Sequence, residues 1–216
     1  MKTVTFDMDG LIFNSEDVYT LAGSELLARR GCQFTPELKD AMMGRPPQKA
    51  FEVMIELHAL TEPWHEIAAE SNEIFLGLLD QHLATMPGLM ELLDALERAN
   101  IPKAIATSSS RRLTDACLGP FQLAPRFSFI LTCEDITQGK PNPEIYQLAA
   151  QRFGVSPSEM LVLEDSHNGC RASAAAGAYT VAVPGEHSRS QDFSAANLII
   201  DSLADERLYE VLGLRD

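Results

Sequence analysis

From residue 86 onwards, short apolar runs alternate with stretches of helical period, and this alternation restricts the possible folds more than any other feature of the sequence. The runs at 102–106 (PKAIA), 127–132 (FSFILT), 160–164 (MLVLE), 179–183 (YTVAV) and 197–200 (NLII) are rich in Val, Ile, Leu and Phe. Strands buried on both faces have this composition, whereas strands with one wet face alternate apolar and polar residues. Helices are expected between them, at 88–99, at 110–117, from Asn142-Pro143 to Gly154, at 168–176 and near 204–212. Repeated strand–helix units predict an α/β fold with a Rossmann-like, mostly parallel sheet covered on both faces.

The N-terminal part differs. Residues 2–6 (KTVTF) carry β-branched side chains and read as a strand that runs into Asp7-Met8-Asp9-Gly10, where the glycine marks a turn. Glu16 to Arg30 then has helical period and stops at Gly31, a suitable residue to end a helix. Thr35-Pro36 opens a second helix ending near Gly44, Pro46-Pro47 opens a third, and Thr61 is the expected cap of a longer one running past Trp64 to about Asp80. Nothing in this stretch has strand period. The economical organisation is an α/β core of residues 1–14 and 86–216, with an all-helical insertion at 15–85.

Composition narrows the function classes. The 216 residues carry 31 acidic and 17 basic side chains, a net charge of −14, which disfavours nucleic acid and anionic membranes as partners. No apolar run approaches the ~18 residues of a membrane span, and the N-terminus MKTVTFDMDG meets charge early, so the cytoplasm is the expected compartment. The four cysteines (Cys32, Cys117, Cys133, Cys170) form no CxxC pair, which argues for reduced, mostly buried thiols rather than zinc or disulfides. A monomer is the simplest assembly.

In open parallel sheets, ligands bind beyond the carboxyl ends of the strands. The first predicted strand ends on Asp7 and Asp9. The second ends on Thr107, Ser108, Ser109 and Ser110, and the third leads through Glu134 and Asp135 to Lys140. The fourth ends on Glu164 and Asp165. Carboxylates, hydroxyls and one lysine suit a hard cation and a phosphate. Such a set would also let an acidic protein handle an anionic ligand, since cations must then be concentrated locally.

These strand ends carry four motifs in order: Asp7-Met8-Asp9-Gly10, Ile105-Ala106-Thr107-Ser108, Lys140-Pro141-Asn142-Pro143, and Glu164-Asp165-Ser166 continuing to Gly169 and Ala175-Ala176-Gly177. With them the sequence resembles the haloacid dehalogenase superfamily, in its subgroup of small sugar-phosphate phosphatases and β-phosphoglucomutase-like proteins with a helical cap. The resemblance implies a phosphatase acting on a small phosphomonoester, with Asp7 as nucleophile and Asp9 as the acid–base group. It further implies that Thr107, Ser108 and Lys140 bind the phosphoryl group. Magnesium would be held by Asp7, the backbone carbonyl of Asp9, and Asp165, with Glu164 assisting directly or through water. Thr107 and Ser108 could also cap the helix that follows, which is compatible with phosphate binding. The helical insertion would be a mobile cap over the site.

Asp9 discriminates among the family's reactions, because dehalogenases and phosphonatases lack an acid–base aspartate two residues after the nucleophile. A β-phosphoglucomutase reading is the alternative. Those enzymes carry a histidine in the first cap helix where this chain has Tyr19, and their cap arginine falls a few residues after the glycine matching Gly44, whereas here Arg45 follows it at once. Both departures favour hydrolysis. A binding or regulatory protein that has lost activity is the alternative from another class, since fold does not fix function. Arg45, Lys49 and Ser109 are the weaker candidates for contact with the rest of the substrate.

Overall fold

A computed structural model describes residues 1–43 and 45–214 of the chain. It divides into two compact units, Met1–Asn14 with Ala84–Asp216, and Ser15–Leu83. The first unit is built on a sheet of six strands: β1 (Thr3–Phe6), β2 (Lys103–Ala106), β3 (Ile130–Leu131), β4 (Met160–Glu164), β5 (Tyr179–Ala182) and β6 (Leu198–Ile199). Their order is β3-β2-β1-β4-β5-β6, and every neighbouring pair is parallel. The strand order reverses at β1, so the carboxyl ends of β2, β1 and β4 stand side by side at the switch point.

The central strands β1, β2 and β4 are buried on both faces. On one face, Ala106, Leu131, Met160 and Val162 pack with Ile145, Tyr146, Ala149 and Ala150 of α7 (Glu144–Phe153) and Ala172 of α8 (His167–Ala176). Leu161 and Leu163, which alternate with them along β4, are fully buried as well and point the other way. The unit is completed by α5 (Leu89–Arg98), α6 (Arg111–Leu118) and α9 (Glu206–Leu212). Three-residue 3-10 turns at Ala124–Arg126, Cys133–Asp135 and Pro157–Glu159 were not expected from sequence period.

The edge strands are shorter than their apolar runs. Ladder hydrogen bonds involving the run 127–132 include Ser128 N–H to the Lys103 carbonyl at 2.8 Å and Thr107 N–H to the Leu131 carbonyl at 3.0 Å. Thr132 then leaves the ladder because its hydroxyl and N–H both donate to Asp135, closing a capping box around the 3-10 turn.

The second unit contains α1 (Ser15–Ala28), α2 (Pro36–Met42), α3 (Pro47–His58) and α4 (Trp64–His82). Thr35 caps α2 by accepting the Leu38 N–H. Gly44, expected to end that helix, lies outside the described residues. Thr61 does not cap α4, which starts at Trp64 after Pro63. The residue before a proline is steered away from helical backbone, so Glu62 holds the start back. Within this unit Arg30 bridges Glu62 at 2.9 Å and Glu70 at 2.7 Å, and Tyr19 stacks on Phe75 with ring centroids 4.2 Å apart. All four cysteines are unbonded. Cys117 and Cys170 are buried, Cys32 is half-buried, and Cys133 is exposed, contrary to the expectation of mostly buried thiols.

Candidate active site

Beyond β1 the chain makes one tight turn. The Asp7 N–H still belongs to the sheet, donating to the Leu163 carbonyl of β4 at 2.9 Å. The Met8 carbonyl then accepts the N–H groups of Leu11, Ile12 and Phe13, and Gly10 closes the turn by donating to the Phe13 carbonyl at 2.9 Å. Gly10 has φ 75°, a left-handed conformation that side chains disfavour, and a Cβ there would collide with the Asp165 carboxylate. One glycine therefore lets the turn bend and lets Asp165 approach.

Asp7, Glu164 and Asp165 are buried together, and their ligand-capable oxygens lie within 4.8 Å of one another. Lys140 enters this group with its side chain only 5% exposed. Its ammonium donates to Asp7 Oδ1 at 2.5 Å, Glu164 Oε1 at 2.6 Å and the Ala106 carbonyl at 3.0 Å. Burial opposes the charge on Lys140, but the carboxylates of Asp7 and Glu164 outweigh it and hold the ammonium well above its usual range. Burial pushes the Asp7 carboxyl up to about 7; Lys140 works against that rise, while Glu164 and Asp9 add to it.

Glu164 has no acceptor position to spare. Oε1 receives Lys140 and also the Tyr146 hydroxyl at 2.7 Å, while Oε2 receives the Ser166 N–H at 3.1 Å and its hydroxyl at 2.9 Å. A carboxylate offers about four lone-pair directions, and four donors fill them. In this arrangement Glu164 serves Lys140 first. Gly169 in α8 leaves the room, because a Cβ at that position would overlap the Glu164 carboxylate.

Asp9, two residues further on, meets the residues that follow β2. Its Oδ2 accepts from Ser109 Oγ at 2.6 Å and from Thr107 Oγ1 at 3.3 Å, and its Oδ1 is buried with no hydrogen-bond partner. Thr107 is buried at the end of β2, and Ser108 is exposed. The helix cap belongs to neither: Ser110 caps α6 by accepting the Leu113 N–H. Cys117 lies near Asp9, and burial together with that negative charge pushes its thiol up to about 12, which leaves it unreactive.

The structure thus brings together Asp7, Asp9, Thr107, Ser109, Lys140, Glu164 and Asp165. Arg45 and Lys49 belong to the second unit. There Arg45 is exposed between α2 and α3, and Lys49 pairs with Glu52 at 2.7 Å on the exposed start of α3. Tyr146 and Glu144 were not singled out from the sequence. The Glu144 carboxylate accepts the N–H groups of Thr137 at 2.9 Å and Gln138 at 2.8 Å, tying down the loop that carries Lys140. Their places in the first turns of α7, just after Lys140-Pro141, were the available signal.

The donor set can be tested against a metal. The ammonium of Lys140 meets two of the three buried carboxylates, Asp7 and Glu164. The ligand-capable oxygens of Asp7, Glu164 and Asp165 gather within 4.8 Å, a concentration of like charge that a low-dielectric place disfavours without a cation. Oxygen donors with excess negative charge suit a hard divalent cation. The residues fit such an ion.

Residues 4–183 match the family described as haloacid dehalogenase-like hydrolase. The chain is 34% identical over 208 residues to the Drosophila melanogaster protein named "Probable pseudouridine-5'-phosphatase", covering 93% of this chain and 89% of that one. It is 30% identical over 174 residues to the fructose-1-phosphate phosphatase YqaB of Escherichia coli, covering 80% and 90%. Among solved structures, CbbY from Rhodobacter sphaeroides in complex with phosphate superposes with a TM-score of 0.84 at 27% identity, covering 95% of this chain and 96% of that one. With the family match running from β1 to β5, and residues of the four motifs gathered at one acidic cluster, the chain belongs to the haloacid dehalogenase-like hydrolases.

Proposed function

We propose that this hydrolase removes the phosphate from a small phosphomonoester, most simply a sugar phosphate, through an aspartyl-phosphate on Asp7. As a class it is a phosphoric monoester hydrolase, in keeping with its phosphatase relatives. The observation that carries the mechanistic reading is the buried contact of Lys140 with Asp7 at 2.5 Å, backed by Glu164. A carboxylate meeting a phosphate dianion faces like-charge repulsion, and a fixed ammonium beside it offsets part of that.

Asp7 attacks phosphorus as the bond to the leaving oxygen breaks, and Asp9 gives that oxygen its proton. Water then attacks the phosphoryl group on Asp7, and Asp9 takes the proton back, so that the enzyme is restored and inorganic phosphate leaves. Lys140 holds one phosphoryl oxygen, while the hydroxyl of Thr107 and the N–H of Ser108 hold another. A magnesium ion held by Asp7, the Asp9 carbonyl and Asp165, with Glu164 as its neighbour, would supply charge neutralisation and orientation of the phosphoryl group. The helical unit acts as a cap, and the enzyme works as a cytoplasmic monomer without nucleic-acid or membrane partners. Among the described residues no helix is long and apolar enough to cross a membrane.

The test is inorganic phosphate release from a panel containing glucose 6-phosphate, fructose 1-phosphate, ribose 5-phosphate, nucleotides and p-nitrophenyl phosphate, with magnesium and with chelator. Turnover should require the metal, and Asp7→Asn should lower kcat by on the order of a thousandfold or more. Full activity in that variant would end the covalent reading, and no turnover on any ester would favour a binding role. The mutase alternative is checked by conversion of β-glucose 1-phosphate without net phosphate release. Tyr19, stacked on Phe75, stands where that reaction's histidine would be expected, which favours hydrolysis.

A further inference from the structure

We propose that Ser109 is the positioning residue for Asp9, anchoring one carboxylate oxygen so that the other is presented for proton transfer. The inference rests on the reading of Asp9 as the acid–base group. The two oxygens of Asp9 have unlike surroundings. Oδ2 is held by Ser109 Oγ at 2.6 Å, with a longer contact from Thr107 Oγ1 at 3.3 Å. Oδ1 is shielded from solvent and has no partner. An unpaired buried acceptor costs free energy, and a catalytic role is one of the reasons a native site keeps one. Among the described residues, Asp9 Oδ1 is the carboxylate oxygen that stands so.

Ser109 is itself fixed in the turn between β2 and α6. Its N–H donates to Thr107 Oγ1 at 3.0 Å, and its carbonyl accepts the Cys133 N–H at 3.2 Å. A hydroxyl has one proton to donate, and that of Ser109 is committed to Asp9 by a short bond. This separates Ser109 from the substrate-contact role its sequence position suggested. It also divides the work on the loop. The shorter bond of Ser109 steers the carboxylate, and the longer one from Thr107 is the easier to give up to a phosphoryl oxygen. With Oδ2 anchored, the side chain of Asp9 cannot swing freely, so the proton on Oδ1 is delivered along one direction.

The experiment compares wild type, Ser109→Ala, Ser109→Thr and Asp9→Asn on two esters. One is p-nitrophenyl phosphate, whose leaving group departs without a proton. The other is the sugar phosphate turned over fastest among glucose 6-phosphate, fructose 1-phosphate and ribose 5-phosphate, whose alkoxide needs one. Ser109→Ala should lower single-turnover cleavage of the sugar phosphate by about 10- to 100-fold, a part of what general acid catalysis supplies, with KM changed less than about 2-fold. The p-nitrophenolate burst of that variant should stay within about 3-fold of wild type, and Ser109→Thr, which keeps the hydroxyl, should recover most of the loss. A purely structural role would slow both esters alike. That result overturns the proposal, and so does a raised KM with unchanged kcat, which would make Ser109 a substrate contact. If Asp9→Asn is inactive on the sugar phosphate while Ser109→Ala matches wild type, only the Ser109 assignment fails. If Asp9→Asn keeps full turnover, or no sugar phosphate is cleaved, the reading beneath it fails as well.

Discussion

Tyr146 donates its hydroxyl to a Glu164 oxygen that also receives the Lys140 ammonium, and its ring lies under that ammonium at 5.0 Å. One aromatic side chain thereby bonds to the carboxylate and faces the ammonium of the same buried ion pair. Burial, with the charge of Glu164, pushes the tyrosine hydroxyl well above its ordinary range, so it remains a donor at any working pH. Tyr146→Phe keeps the ring in the core and deletes the hydroxyl alone. It should lower unfolding stability by about 1.5–3 kcal/mol, the usual worth of a buried bond to a charged group, read from urea denaturation. An unchanged midpoint would mean that Glu164 is satisfied without it.

Two predictions belong to elements. Replacing a glycine inside a helix by alanine ordinarily stabilises by about 1 kcal/mol. At Gly169 of α8 the added methyl would overlap the Glu164 carboxylate, and overpacking costs about 1–3 kcal/mol. Gly169→Ala should therefore lower the melting temperature, reversing the propensity expectation, and should reduce phosphate release by displacing Glu164 from Lys140. The second concerns α5, whose Glu97 accepts from buried Lys103 of β2 at 2.9 Å and from Arg126 at 2.8 Å. Arg126 and then Lys103 lower its carboxyl from 4.5 to about 2. A carboxyl lowered in the folded state adds stability that is complete above about pH 4.5 and is lost as pH falls toward 2. Thermal melts of Glu97→Gln should accordingly differ from wild type at pH 7, and the difference should shrink below about pH 4.5 and close only as the pH falls to about 2. A constant difference would show that the packing of the side chain, rather than its charge, matters.

At the scale of the whole molecule, the second unit enters and leaves the first through neighbouring strands of chain. Ala84 N–H donates to Asn14 Oδ1 at 2.7 Å, Asn14 N–H donates to the Ala84 carbonyl at 3.1 Å, and Met86 N–H donates to the Ile12 carbonyl at 2.8 Å. With both ends already bonded together, removal of what lies between needs only a short closure, and short flexible closures cost little. A chain in which Ser15–Leu83 is replaced by a brief Gly/Ser linker should keep a cooperative thermal transition and α/β circular dichroism. Loss of that transition would show that the α/β unit depends on the insertion for its stability.

The sequence by itself determined the parallel α/β core, because strands buried on both faces must be apolar throughout and the helices between them must carry the polar surface. It also placed Asp7, Asp9, Thr107, Lys140, Glu164 and Asp165 at strand ends, since chain direction fixes which end of a parallel strand carries the site. It could not determine which oxygen meets which donor. Ser109 and Asp9 are 100 residues apart along the chain, and Lys140 and Asp7 are 133 apart. Those pairings follow from strand order and rotamer, which no local pattern encodes. Tyr146 was hidden for the same reason, as an aromatic on a buried helix face reads as packing until its hydroxyl is seen on Glu164. Tertiary structure alone decided that Glu164 serves Lys140, that Ser110 rather than Thr107 caps α6, and that one oxygen of Asp9 is anchored while the other is not.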